Sequence, residues 1–238
     1  MEAEARAGRG GGPRRLGARR PTALALAFAL LAACGGEPRE AAPLEEVNPL
    51  LRPARLTEQA PPTYRARFET SAGGFTVEVH RDWAPLGADR FYNLVKHGFY
   101  DDTRVYRVVS GFMAQFGISG DPVLNAVWQR EAIVDDTVKQ SNTRGRITFA
   151  TAGRHTRTTE LFINYGDNSF LDDQWFAPFG EVVEGMEGVD AFHAGYGETV
   201  PMGTGPYAAM AMARGNEYLD ADFPELTRIV RVEIVPDP

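Results

Sequence analysis

Residues 105–122 read VYRVVSGFMAQFGISGDP, and this stretch carries the pattern from which the fold of the 238-residue chain is predicted. In residues 105–109 the set Val105, Arg107 and Val109 alternates with Tyr106 and Val108, and the segment is rich in β-branched and aromatic residues, which is typical of a β-strand. Ser110-Gly111 then interrupts the alternation, and residues 112–116 begin a second extended segment. The stretch therefore predicts two strands joined by a glycine turn.

Two polar side chains in this stretch stand out among apolar neighbours. If Arg107 and Gln115 face the same side, a guanidinium and a side-chain amide lie together above Phe112 and Met113. An ordinary hydrophobic hairpin with one solvated arginine would contain the same residues. The stretch alone leaves both interpretations open.

The stretch resembles the signature of the cyclophilins, which are β-barrel peptidyl-prolyl isomerases: an arginine in a strand, a glycine turn, Phe-Met-x-Gln and a glycine-rich exit. Further segments resemble this family in the right order over about residues 63–236. They are a helix that begins at Pro85 and stops at Gly98, the strand 146–153, the segments 161–165, 168–172 and 176–183, a second helix 185–194 and the closing strand 227–235. Before them, alternation over residues 64–70 and 75–80 predicts two strands that residues 71–74 join as a hairpin.

The resemblance implies a mostly β fold, a closed antiparallel eight-stranded barrel capped by two α-helices. Residues 123–145 are predicted as a long loop. Residues 195–223, rich in Gly, Ala and Met, are predicted as an insertion loop of the domain 63–236.

The reaction that the resemblance implies is cis/trans isomerisation of an X–Pro peptide bond. Twisting this bond breaks its resonance and localises a lone pair on the proline nitrogen. A catalyst then needs a dry pocket for the ring and a hydrogen-bond donor near that nitrogen, and no metal or other cofactor. By similarity Arg107 is the donor and Gln115 holds it or the peptide backbone.

The resemblance also implies the substrate-binding residues. Phe112, Met113 and Phe162 would line the proline pocket, although Met and Phe are also common core residues. Ala150 and Thr151 match the positions that hold the residues before the proline. Four positions depart from the usual family residues at the rim: Thr151 in place of Asn, Glu160 in place of Gln, Phe170 in place of Trp, and Phe176, or else Trp175, in place of His.

The charge of Glu160 suggests two effects at the rim. It could select peptides with a basic residue near the proline, or it could pair with Arg107 and divert that side chain from the amide nitrogen.

A second class of function fits most of these residues. A non-catalytic module that binds proline-containing peptides, or a holdase, would use the same pocket without turnover. A structural envelope lipoprotein is a third possibility. Arg107 and Gln115 favour the enzyme, because a pure binding module needs no donor aimed at the amide nitrogen.

The N-terminal region predicts export. Residues 1–33 combine six arginines with the apolar run TALALAFALLAA, which is typical of a secretory signal peptide. Leu-Ala-Ala before Cys34 resembles the lipobox of bacterial lipoproteins, in which the cysteine is acylated; an ordinary signal peptide with a chance cysteine is the alternative. Residues 34–62 are predicted as a Pro-rich tether, of which residues 48–51 could instead pack on the domain. The expected location is the periplasmic side of the cell envelope, on a lipid anchor.

Composition restricts the partners. Beyond residue 33 the chain has 19 basic and 30 acidic residues, which argues against nucleic-acid binding. The single cysteine allows no intrachain disulfide, and the four histidines lie far apart, so no metal site is expected. The expected partners are proline-containing peptides and unfolded proteins, and the expected state is a monomer.

Overall fold

A computed structural model of the protein describes residues 48–235. The predicted signal peptide, the acylation site Cys34 and the first part of the predicted tether lie outside these residues.

The described chain is built on one antiparallel sheet, which forms a half-barrel. Its nine strands are β1 (Thr63–Thr70), β2 (Phe75–His80), β3 (Thr103–Arg104), β4 (Arg107–Val109), β5 (Met113–Phe116), β6 (Arg146–Phe149), β7 (Leu161–Asn164), β8 (Pro178–Glu184) and β9 (Arg228–Val235). Their order in the sheet is β3-β9-β1-β2-β8-β6-β7-β5-β4. The first two predicted strands and their hairpin are confirmed.

The prediction of a closed eight-stranded barrel is wrong, because the sheet has nine strands and two open edges, β3 and β4. Only Val105 and Tyr106 separate these two strands along the chain. The amide of Val105 still donates to the carbonyl of Thr227, 2.9 Å away, so Val105 continues the pairing of β3 with β9. The alternating sequence 105–109 suggested one strand, whereas the chain leaves one edge of the sheet and joins the other between Val105 and Arg107.

Two helices were predicted, and the described residues form five α-helices. They are α1 (Pro85–Lys96), α2 (Pro122–Trp128), α3 (Met186–Asp190), α4 (Ala208–Arg214) and α5 (Asn216–Asp222). Helix α1 starts with proline in its first turn and is followed by Gly98 at φ +73°, as the sequence indicated. Its apolar face, Phe91, Leu94 and Val95, is buried against the sheet.

The segment predicted as an insertion loop contains two α-helices. Helices α4 and α5 have seven residues each and meet at Gly215, whose φ is +57°. Helices this short are not stable alone, so tertiary packing must hold them. Their side chains form a second apolar cluster with residues that flank β4 and β5. Its buried members are Tyr106, Ile118, Ala211, Tyr218, Leu219 and Leu226.

The second half of the predicted tether packs on the domain. Leu50 is 3% exposed, and its carbonyl accepts a hydrogen bond from Trp128 Nε1 at 2.9 Å. Further along, Asn93 donates to the carbonyl of Glu58 and accepts from its amide, at 2.7 and 3.1 Å. The packing that the sequence left open for residues 48–51 thus extends through Ala60, which is also buried.

Within residues 48–235 no helix combines the length and the apolar character needed to cross a bilayer.

Candidate active site

A cavity of about 270 Å³ lies against β4, β5 and β7. It is lined by Arg107, Phe112, Met113, Gln115, Ala150, Thr151, Phe162, Leu171, Gln174 and Phe176. Eight of these are residues that the sequence singled out. Glu160 and Phe170 were also expected here, but neither lines the cavity.

Strand register brings the polar pair together. Arg107 on β4 lies opposite Gln115 on β5, and Gln115 lies opposite Phe162 on β7. Directly opposed residues of antiparallel strands point to the same face, so the three side chains form a row across the sheet. Arg107 Nη1 donates to Gln115 Oε1 at 2.8 Å.

The floor of the cavity is apolar and separate from the main core. Met113, Phe162 and Leu171 are buried and form a small cluster of their own, with Phe112, Ala150 and Phe176 packed on it. The rings of Phe162 and Phe176 meet edge to face, with centroids 5.7 Å apart. Met113 and Phe162 are therefore both buried residues and pocket residues.

The guanidinium of Arg107 has contacts on three sides. Besides the bond to Gln115, Nη2 donates to Glu198 Oε2 at 2.6 Å, and Cζ lies 5.9 Å from the centre of the Phe112 ring. Nε is buried and has no hydrogen-bond partner among residues 48–235. Sequence reasoning missed Glu198, which lies in the predicted insertion loop, where no motif marks it.

Glu160 lies behind Gln115 and not at the expected rim. Its Oε2 accepts from Gln115 Nε2 at 3.0 Å and from the hydroxyl of Tyr106. Burial raises the pKa of Glu160 above its ordinary value, although the bonds from Tyr106 and Gln115 act in the opposite direction. The carboxylate that contacts Arg107 is that of Glu198.

The remaining rim residues differ in their exposure. Phe170 is 58% exposed and stacks beside Phe112, with ring centroids 6.1 Å apart. Of the two candidates for the last rim position, Phe176 lines the cavity, whereas Trp175 faces the guanidinium of Arg154 at 4.8 Å. Thr151, also on the cavity wall, exchanges a 2.8 Å hydrogen bond with Thr156.

In the part of the chain that the structure describes, no three His, Cys, Asp or Glu side chains gather as a metal site would require.

Comparison with known proteins gives the family. Residues 65–211 match the family model described as cyclophilin type peptidyl-prolyl cis-trans isomerase/CLD. The chain is 37% identical over 147 residues to peptidyl-prolyl cis-trans isomerase A of Dickeya dadantii (strain 3937), across 58% of this chain and 73% of that protein. It is 34% identical over 132 residues to peptidyl-prolyl cis-trans isomerase B of Escherichia coli (strain K12), across 52% of this chain and 80% of that protein.

Solved structures agree on the fold. A cyclophilin type peptidyl-prolyl cis-trans isomerase of Cryptosporidium parvum superposes with a TM-score of 0.56 at 19% identity, over 74% of this chain and 99% of that one. The same protein in the presence of the dipeptide ala-pro gives a TM-score of 0.54, over 73% of this chain. The chain therefore belongs to the cyclophilin-type peptidyl-prolyl cis-trans isomerase family, and it is an isomerase of that class.

Proposed function

We propose that this isomerase accelerates X–Pro bond rotation in proteins that fold outside the cytoplasm, and that Arg107 stabilises the twisted amide. The bound group would be a proline side chain in the cavity below Arg107. The Cryptosporidium relative was studied in the presence of ala-pro, a dipeptide of the class that we propose as ligand.

The reaction requires electrostatics and positioning only. Rotation of an X–Pro bond faces a barrier of about 18–20 kcal/mol, which comes from amide resonance. In the twisted state the lone pair is localised on nitrogen, and a donor placed there stabilises that state more than the planar ground state. Each ~1.4 kcal/mol of such differential stabilisation speeds the reaction tenfold.

The observation that carries this proposal is the fixed guanidinium at the edge of an apolar cavity. Gln115 and Glu198 accept hydrogen bonds from the two terminal nitrogens of Arg107, and the central guanidinium carbon, Cζ, lies over the Phe112 ring. An arginine always carries its charge and has five N–H donors, so donors remain for the substrate after both bonds are made.

The proposed location rests on the N-terminal sequence. The signal peptide of residues 1–33 would direct export, and acylation of Cys34 would anchor the chain on the periplasmic side of the cell envelope. Clients would then be unfolded exported proteins whose X–Pro bonds isomerise in tens to hundreds of seconds without a catalyst.

Replacement of Arg107 tests the mechanism. We expect Arg107→Ala to lower kcat/KM for a short X–Pro peptide at least about tenfold with the fold intact, because the donor acts mainly in the transition state. Arg107→Lys should also lower it, since lysine lacks the planar fork.

The matched control is Arg231→Ala, which removes a 62%-exposed arginine from β9. It should leave kcat/KM unchanged. Equal activity of the wild type and Arg107→Ala would refute the arginine mechanism.

A further inference from the structure

We infer that Glu198, in the segment 195–223, is a positioning residue that fixes Arg107 for isomerisation. The inference rests on the proposed role of Arg107. The segment 195–223 is separate in sequence from the strands β4, β5 and β7, against which the cavity lies.

The carboxylate of Glu198 is held at both oxygens. Oε2 accepts from Arg107 Nη2 at 2.6 Å, while Oε1 accepts from the amide and the hydroxyl of Thr199 at 2.8 and 3.1 Å. Partial burial would raise the pKa of Glu198, but the bonds from Arg107 and Thr199 hold it below its ordinary value. The carboxylate is therefore ionised and oriented at neutral pH.

One hydrogen bond would not fix the guanidinium. Gln115 bonds Nη1 only, and a long side chain held at one terminal atom can still turn about that bond. Glu198 bonds Nη2 from a different part of the chain, so both terminal nitrogens are held. Each terminal nitrogen carries two N–H groups, and one on each remains for the substrate.

Backbone hydrogen bonds within the loop hold Glu198 and Thr199 in place. The amide of Gly205 donates to the carbonyl of Glu198 at 2.8 Å, and the amide of Gly203 donates to the carbonyl of Thr199 at 2.9 Å. A Cβ atom on Gly203 would lie 2.3 Å from the carbonyl oxygen of Glu198, so a side chain there would push the loop apart.

Two short helices anchor this loop to the domain. Asp220 on α5 bonds Arg104 Nε and Nη2 at 2.7 and 2.8 Å, and the Arg104 side chain is 8% exposed. Asn216 at the start of α5 donates to the carbonyl of Asp102 at 2.7 Å. The position of Glu198 is thus supported by the packed and hydrogen-bonded structure that follows it in the chain.

The segment contacts two successive residues at the open edge of the sheet. Tyr106 packs into the cluster with α4 and α5, while Arg107 is bonded by Glu198. Since β4 is an edge strand paired only with β5, it lacks a second strand that would hold it in place. The segment 195–223 supplies that support and the second bond to the guanidinium.

A contact of the same geometry could also act as a clamp that substrate must displace. The two roles differ in sign, because removal of a clamp raises activity whereas removal of a positioning residue lowers it. The structure favours positioning, since the bond to Glu198 leaves donors of Arg107 free.

The test compares Glu198→Ala and Glu198→Gln in the full chain with an X–Pro peptide, with kcat and KM measured separately. We expect Glu198→Ala to lower kcat roughly fivefold or more with KM changed less than about twofold, as for a group that acts in the transition state. Glu198→Gln keeps an acceptor for Nη2 and should retain at least about half of kcat. Glu217→Ala, which removes a 76%-exposed carboxylate of the same segment, is the matched control and should leave both constants unchanged.

A double-mutant cycle separates this inference from the proposed function. In an Arg107→Ala background, Glu198→Ala should cause no further loss, because its effect passes through Arg107. Wild-type activity of Arg107→Ala would refute the arginine mechanism of the proposed function, on which this inference rests. If Arg107 is required, two results would overturn the positioning role. One is an unchanged or raised kcat in Glu198→Ala, and the other is an equal loss of activity from Glu198→Ala in the wild-type and Arg107→Ala backgrounds. Circular dichroism and the thermal midpoint show whether each variant is folded. If Glu198→Ala is not, Glu198→Met, which keeps an apolar stem and lacks both carboxylate oxygens, takes its place with the same expected results.

Discussion

At the scale of single residues, the polar groups of the site form one continuous chain of hydrogen bonds. It runs from Glu198 to Arg107, then to Gln115, Glu160 and Tyr106. Gln115 is oriented by its neighbours: its oxygen accepts from Arg107 and its nitrogen donates to Glu160. The acceptor at Glu160 therefore decides which end of the Gln115 amide faces the guanidinium.

Glu160→Gln tests whether Glu160 acts through its acceptor oxygen or through its charge. A single oxygen, Oε2, accepts both bonds, and the amide oxygen of glutamine can take its place. We expect kcat/KM to stay within about twofold of the wild type.

The same variant has an effect on stability that depends on pH. Burial raises the pKa of Glu160 in the folded state, so the folded protein is destabilised by the charged form at neutral pH. This penalty disappears as the pH falls through the raised pKa towards the ordinary value of 4.5. The free energy of unfolding of Glu160→Gln should therefore exceed that of the wild type at pH 7, and the difference should shrink on acidification.

Glu160→Ala is the contrasting variant. It leaves the Gln115 nitrogen and the Tyr106 hydroxyl without this acceptor, and both stability and kcat/KM should fall. A tenfold loss of activity in Glu160→Gln would show that the charge itself is needed.

At the scale of elements, the segment before the first strand belongs to the folded domain. The 3₁₀ helix Pro49–Leu51 places Leu50 against Trp128 of α2, while the neighbouring Leu51 is 40% exposed. The two leucines are neighbours with the same side chain and differ in burial, so a comparison of their alanine variants isolates the effect of packing.

We expect Leu50→Ala to lower the free energy of unfolding by about 2–4 kcal/mol, because it leaves a cavity beside buried apolar groups. Leu51→Ala should change it by less than about 0.5 kcal/mol. Urea unfolding followed by tryptophan fluorescence measures both. Equal effects of the two variants would show that this segment is not packed on the domain in solution.

At the scale of the whole molecule, the question is where the isomerase is held. The Leu-Ala-Ala-Cys boundary at Cys34 motivates the proposed lipid anchor. We expect Cys34→Ser to remove acylation and to release the protein from the membrane fraction, with kcat/KM of the released enzyme unchanged. Membrane fractionation and the mass of the mature chain measure this. An unchanged mass and unchanged fractionation would contradict the anchor.

The sequence by itself determined the family and most of the pocket. Residues 105–116 carry an arginine, a glycine turn and Phe-Met-x-Gln at a spacing that strand geometry converts into a shared face. Alternation and turn residues are local signals, so the strands 64–70 and 75–80 and the start of α1 followed from neighbouring residues alone. The apolar pocket residues were identified because the segments that contain them resemble cyclophilin segments and occur in the same order along the chain.

Only the tertiary structure decided the features that depend on distant contacts. Alternation through residues 105–109 could not show that the sheet is open there, because the break depends on the pairing of Val105 with Thr227. Helices α4 and α5 are too short to be specified by propensity and exist through packing on Tyr106 and Ile118. The place of Glu198 beside Arg107, 91 residues away along the chain, follows from that packing, and no local pattern encodes it.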